Sequence, residues 1–356
     1  MARTSSVRGR PTVLLTAVVL VAGAVLAPPS SAQAPGPADQ VPATRTVEAG
    51  TGWRQVTAGA SFTCGIRFSG QLRCWGRDSY GAVGDGGAPD LVRYVPSPTP
   101  VAGPVTSWLS VDASYAHACA ISTEHRLYCW GDNHFGATGV GSTAGYQYEP
   151  TEVSGQTADW ASVSAGGYTT CGRKLSGALL CWGDDRFGTL GDGDPNESRA
   201  VPGDVAGQRD DWADVSVGFE HACATTNAGL LYCWGHDADG ELGDDATTTD
   251  RSAPTEVAGS YRGWRNVETG FAQTCATRGR GRAFCWGRDG YERQLLPVEV
   301  RGHRNDWTHL AVGSETCAGR TDGRDYCWRG VRAPQAGSTF TSRPSEVPGS
   351  HADWVD

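Results

Sequence analysis

After its first 34 residues the sequence has no uncharged apolar run approaching the roughly 20 residues that a membrane helix needs. It has no stretch of helical period, no cluster of lysine and arginine, and no cysteine outside one repeating pattern. Each absence excludes a class. Lack of helical periodicity removes helical and mixed folds. Nucleic acids and anionic lipids draw on basic patches that neutralise phosphate. A chain of formal net charge −9 without such a cluster is not expected to bind them. With every cysteine in the pattern, no free thiol nucleophile remains. A Gly-x-Ser-x-Gly elbow, a phosphate loop and a His-Glu-x-x-His pair are also missing. Neither enzymatic activity nor a cofactor is expected, although a carboxylate pair that meets only in the fold stays open.

What is present is repetition. Two cysteines ten positions apart occur six times: Cys64 with Cys74, Cys119 with Cys129, Cys171 with Cys181, Cys223 with Cys233, Cys275 with Cys285, and Cys317 with Cys327. A tryptophan follows each second cysteine, at Trp75, Trp130, Trp182, Trp234, Trp286 and Trp328. A second series opens the units at Trp53, Trp108, Trp160, Trp212, Trp264, Trp307 and Trp354, with spacings of 55, 52, 52, 52, 43 and 47. The two series use all 13 tryptophans. A period near 50 marks a solenoid or a propeller.

Residues 1–34 read as an export signal. Arg3, Arg8 and Arg10 precede the apolar run Val13 to Leu26, and small residues follow, with cleavage after Ala32 or Ala34. The mature chain, one domain over 35–356, is therefore expected to be secreted, without a membrane span, monomeric, and more acidic at −12 because three arginines leave with the signal. An exported chain meets oxidising conditions, so the twelve cysteines read as six disulfides. Zinc pairs keep two to four residues between ligands. Nine separate these, so no metal site is expected.

One unit reads as four short strands: a at Trp212–Val217, b at Ala222–Thr226, c at Leu230–Trp234 and d near Pro254–Val257. Short strands punctuated by glycine indicate an all-β propeller. If Cys64 faces Cys74 across strands b and c, the loop between them is Phe68-Ser69-Gly70. Three-residue hairpin loops favour glycine at the last, left-handed position. Glycine stands there in five of six units, at Gly70, Gly177, Gly229, Gly281 and Gly323, and His125 is the exception. The tryptophans are expected to pack between blades.

The strings Trp212-Ala-Asp-Val-Ser-Val-Gly-Phe-Glu-His-Ala-Cys-Ala and Leu231-Tyr-Cys-Trp-Gly, with Gly-rich segments such as Phe187-Gly-Thr-Leu-Gly-Asp-Gly, resemble the regulator of chromosome condensation repeat family. The resemblance covers about residues 42–356 and implies a β-propeller. Units five and six lack the Gly-rich segment after Trp286 and Trp328, which implies shortened or irregular blades. The best-known member exchanges nucleotide on a small nuclear GTPase, a role at odds with an exported chain lacking a basic tail. Secreted bacterial members look more like the propeller-type beta-lactamase inhibitory proteins, which bind a partner through one face. Six blades are expected, with strand pieces at Pro42–Val47 and Asp353–Val355 serving closure; seven blades with an incomplete closing blade is the alternative.

In an up-and-down blade the a–b and c–d loops share one face. The a–b loops bring Phe62, Tyr115, Tyr168, Phe219 and Phe271, with His117 and His221. The c–d loops bring Asp78, Tyr80, Asp132, Asn133, His134, Phe135, Asp184, Asp185, Arg186, Phe187, His236 and Asp237. Aromatics ringed by polar groups are the composition of protein interfaces. The expected partner-binding set is Phe62, Tyr115, His117, Tyr168, Phe219, His221, Phe271, Asp132, His134, Asp184, Arg186 and His236. Recurrence of His117 and His221 at one position suggests a structural hydrogen bond. Asp85, Asp192, Asp194, Asp244 and Asp245 lie in Gly-Asp turns, which turn chemistry explains more simply than calcium. The function expected is a secreted, non-enzymatic propeller that binds a protein, with enzyme inhibition as a variant. The alternative is a glycan-binding or hydrolytic propeller of the cell envelope, and guanine-nucleotide exchange is the remote third.

Overall fold

A computed structural model describes residues 52–87, 93–143, 145–195, 197–244, 248–288, 293–302, 304–313, 315–328 and 344–347. They form six four-stranded antiparallel sheets, each in the order a-b-c-d, arranged as a propeller. Blade four is typical, with strands Trp212–Val217, His221–Thr226, Leu231–Gly235 and Arg251–Glu256. Strand d therefore starts three residues earlier than the hydrophobic pattern indicated, because Arg251 already pairs with Gly235.

In all six blades the two cysteines stand directly opposite each other on strands b and c. The bonded pairs are Cys64 and Cys74, Cys119 and Cys129, Cys171 and Cys181, Cys223 and Cys233, Cys275 and Cys285, and Cys317 and Cys327, each with Cα atoms 4.1 Å apart. These are the six pairs expected from the spacing. The hairpin loop ends in the left-handed conformation each time, at φ 86° for Gly70 and 60° for His125. His125 lacks glycine's freedom, but its ring Nδ1 lies 2.9 Å from Trp160 O and ties the turn to the next blade. In the chain-entropy account each bridge contributes about 3 kcal/mol by constraining the unfolded chain.

Between blades the tryptophans carry both area and polarity. The indole N–H of Trp130, Trp182, Trp234 and Trp286 donates to Ala82, Ala137, Thr189 and Glu241 O of the preceding c–d loop, at 2.9–3.0 Å. That loop must approach the indole closely. A Cβ on Gly84, Gly139, Gly191 or Gly243 would lie 2.5–2.6 Å from the indole nitrogen, and all four glycines have positive φ. This is the physical reason for the second glycine of the Gly-x-x-Gly segment in the first four units. A side chain pins each loop: Val83, Thr138, Leu190 and Leu242 N donate to Asp78, Asn133, Asp185 and Asp237 Oδ1.

The end blades differ. Ten of the twelve cysteines are fully buried, whereas Cys317 and Cys327 are half-exposed, as are Trp53 and Trp75 of blade one. Where Leu72, Leu127, Leu179 and Leu231 face the following blade, blade six carries Asp325, which lies 3.6 Å from His309. The leading face of blade six is thus not built like the others. In blade five, strand c ends at Arg288 and strand d begins at Arg293, a c–d connection far shorter than in blade four. The closing pieces expected at Pro42–Val47 and Asp353–Val355 lie outside the described residues, as do residues 1–34.

Candidate functional site

Strand a lies innermost, and its side chains bond around the ring from blade to blade. Ala165 N donates to Asp112 Oδ2, Val217 N to Ser164 Oγ and Thr269 N to Ser216 Oγ, at 2.9–3.0 Å. The a–b loops leave these strands as two-residue tips. Ser114 N donates to His117 O, Gly166 N to Thr169 O, Gly218 N to His221 O and Gly270 N to Gln273 O, at 2.7–2.9 Å. The tips are Tyr115-Ala116, Gly167-Tyr168, Phe219-Glu220 and Phe271-Ala272. Adjacent tips are joined, since Gly167 N donates to Gly218 O and Phe219 N to Gly270 O.

Four aromatics from four blades meet there. Tyr115 lies 6.1 Å from Tyr168 and 6.0 Å from Phe219, ring centre to ring centre; Tyr168 lies 6.5 Å from Phe219; Phe219 stacks on Phe271 at 4.7 Å. Tyr115 and Phe219 belong to blades two and four, so the contact reaches past the tip of blade three. Tyr115 is 46% exposed and Phe271 70% exposed, so the cluster is not a sealed core. Phe135 extends it outward, 5.6 Å from Tyr168, and the Arg186 guanidinium lies 4.8 Å above the Phe135 ring.

Five of the twelve residues expected on this face sit beneath it. Phe62, His117 and His221 stand two residues before the first cysteine, on strand b itself, where the side chain points toward the following blade. All three are buried. His117 Nδ1 lies 2.8 Å from Ser114 Oγ and its Nε2 2.8 Å from Thr170 Oγ1; His221 Nε2 repeats the second contact with Thr274 at 2.9 Å. Recurrence at one register position marked these two as structural, while the sequence grouped Phe62 with the tips by nearness to cysteine alone. Asp132 and Asp184 are also buried, beneath the partners they bind: His134 Nδ1 reaches Asp132 at 2.5 Å and Arg186 reaches Asp184 at 2.6–2.8 Å. The strand-c cysteines Cys129, Cys181, Cys233 and Cys285 are sealed between blades and form no part of the face.

His134 and Arg186 remain exposed on the c–d loops, and His236 is half-buried. His236 donates to Glu241 at 2.8 Å, and this bond holds its imidazolium form above the ordinary range. Burial, then the nearby charge of Asp132, raises the Tyr168 phenol, so the cluster presents a neutral hydroxyl. Glu220, on the tip beside Phe219, is raised mainly by burial. The sequence reading missed Tyr146 and Tyr148 at the start of strand d in blade two. Tyr146 lies 5.1 Å from Tyr80, 5.6 Å from His134 and 6.4 Å from Tyr148. The alternation Tyr146-Gln147-Tyr148 was the available signal.

Three of the Gly-Asp carboxylates have arginine partners. Asp85 pairs with Arg93, Asp192 with Arg199 and Asp244 with Arg251. Among the described residues no three His, Cys, Asp or Glu side chains gather as a metal site would need. Asp245 lies outside the described residues. No helix among them is long and apolar enough to cross a membrane.

Models of the regulator of chromosome condensation (RCC1) repeat match residues 53–82, 108–137, 160–189 and 212–241, and also 124–172 and 176–225. The ultraviolet-B receptor UVR8 of Arabidopsis thaliana is 28% identical over 238 residues, which is 66% of this chain and 53% of the receptor. This chain thus spans about half the length of that relative. Human WBSCR16 superposes with a TM-score of 0.68 at 17% identity, covering 82% of this chain and 81% of that one. Yeast RCC1 (Prp20), solved bound to Kap60, superposes with a TM-score of 0.64 at 18% identity, covering 77% and 69%. At such identities the superpositions speak for the fold alone. With repeat matches in blades one to four and the Cys-Trp framework recurring in all six, the chain belongs to the regulator of chromosome condensation repeat family.

Proposed function

We propose that this is a secreted, non-enzymatic propeller that binds a protein partner through the aromatic face, with inhibition of an extracellular enzyme as one form such binding takes. The carrying observation is the Tyr115–Phe219 contact, which joins tips of non-adjacent blades and leaves Tyr115 and Phe271 open to solvent. Rigid aromatics with few rotatable bonds bury large area at small entropic cost, and tyrosine is enriched at binding hot spots. Arg186, His134 and His236 supply the polar rim that such surfaces carry. Six disulfides fit an oxidising compartment, and the N-terminal signal pattern fits export. The solved yeast relative is itself held by a protein, which is consistent with a propeller used as a docking disc.

The test is capture of partners from culture medium and cell envelope with the oxidised mature chain, against a variant carrying Tyr115→Ala, Tyr168→Ala and Phe219→Ala. The expected result is a protein retained by the wild type and lost by the variant, whose melting curve stays cooperative. An equal catch with both, or a variant that unfolds, overturns the assignment of this face.

A further inference from the structure

Charge is unevenly distributed along the chain. Residues 259–328 contain eleven arginines against eight acids, in a protein whose overall formal charge is −9. The fold gathers three of these arginines around one turn on the face opposite the aromatic cluster. The b–c hairpins point away from the a–b tips because both leave strand b, at opposite ends. In blade five the hairpin turn is Gly279-Arg280-Gly281. Gly279 N donates to Gly263 O at 2.9 Å, and Trp307 N donates to Gly281 O at 3.1 Å. A Cβ on Gly281 would also lie 3.1 Å from Asn305 O, so the blade-six link packs tightly on the turn. Arg262, Arg280 and Arg304 are each one residue from these contacts, and all three side chains are exposed.

Neighbouring carboxylates are already engaged. Glu299 is paired with Arg282, and Asp306 accepts from Arg320 Nε at 2.9 Å. Arg304 lies near enough to Asp306 to lower its acidic pKa further, but the contact partner of Asp306 is Arg320. No ion pair involves Arg262 or Arg280 among the described residues. Beside them Tyr261 is 49% exposed, and the Arg278 guanidinium is held 4.0 Å over its ring.

We propose that this turn is a second docking surface, formed by Arg262, Arg280, Arg304 and Tyr261, that takes an acidic segment of a protein. Arginine's planar fork pairs two-to-two with carboxylates, and tyrosine and arginine are both enriched at protein hot spots. Anchoring on an aromatic favours a peptide over a bare polyanion, because a chain of phosphates gains nothing from the Tyr261 ring. The surface is independent of the aromatic face.

A fluorescein-labelled glutamate-rich peptide containing one leucine, titrated with the full oxidised chain, tests it. The affinity should fall at least about tenfold in the triple variant Arg262→Gln, Arg280→Gln, Arg304→Gln, and should weaken with added salt. In Tyr261→Ala it should fall about threefold or more, with melting unchanged in the arginine variant and with Tyr115→Ala without effect. Equal affinity of wild type and the arginine variant overturns the proposal. So does binding of inorganic polyphosphate with no binding of the peptide.

Discussion

His117 of blade two and Thr170 of blade three share a buried hydrogen bond, and Thr170 passes it on. The Thr170 hydroxyl donates to Ala137 O at 2.8 Å, so it accepts from His117 Nε2–H. His117 Nδ1 is then the acceptor for Ser114 Oγ at 2.8 Å. The same carbonyl of Ala137 also takes the Trp182 indole N–H. One relay therefore joins strand b, the c–d loop and the next blade, and it recurs in blade four through His221, Thr274 and Glu241 O. Breaking it strands buried polar groups, which costs about 1–3 kcal/mol. His117→Ala and Thr170→Val should each lower the denaturant midpoint. The double variant should cost clearly less than the sum, because the residues act as one unit. Additive losses would show that the relay is not cooperative.

Burial raises the Asp185 and Asp237 carboxyls to about 6. A carboxyl whose folded pKa exceeds its unfolded value favours the folded state while protonated. That contribution is complete below the unfolded value of about 4 and is lost as pH climbs to about 6. Blade two places Asn133 at this position and keeps the same backbone bond, from Thr138 N at 3.1 Å. Asp185→Asn should therefore flatten the fall in melting temperature between pH 4 and 6 relative to the wild type, and should melt no lower at pH 7.5. A parallel pair of pH profiles would refute the burial account.

Gly139→Ala places a methyl 2.6 Å from the Trp182 indole nitrogen, at φ 69°. Gly155→Ala meets nothing within 4 Å, at φ 94°. Both carry the left-handed backbone strain of about 1–2 kcal/mol. Only the first must also displace an inter-blade tryptophan. Calorimetry should find Gly139→Ala markedly less stable than Gly155→Ala. Equal melting temperatures would mean that the loop relaxes freely and that the Gly-x-x-Gly spacing has another cause.

The Cys317–Cys327 bridge is half-exposed while the other five are sealed between blades. Thiol–disulfide exchange needs access for the attacking thiolate. Limited reduction under native conditions, followed by alkylation and mass mapping, should label Cys317 and Cys327 first. Early labelling at Cys171 and Cys181, or at Cys223 and Cys233, would place the opening elsewhere in the ring.

The six bridges, the glycine that ends five of the six hairpins and the four strands of a blade were legible in the sequence because each follows from local geometry. Ten positions and a left-handed glycine define a b–c hairpin without reference to the rest of the chain. His117 and His221 were half-legible: recurrence marked them as structural, but their partner Thr170 or Thr274 lies 53 residues away. The aromatic face was legible as composition, not as position. Phe62 and Phe271 look equivalent by closeness to a cysteine, yet one residue begins strand b and is buried while the other tips a loop and is exposed.

By itself, then, the sequence determined the blade: its strands, staples and turns, and the repetition that makes a propeller the way to bury one tryptophan face against the next. Tertiary structure alone decided what lies side by side around the ring. It brought Tyr115 of blade two to Phe219 of blade four and Arg262, Arg280 and Arg304 around one turn, although no run of basic residues exists in the chain. Local periodicity sets which way a side chain points from its strand. The packing of blade on blade sets which loops meet, and that includes a contact between residues more than 100 positions apart.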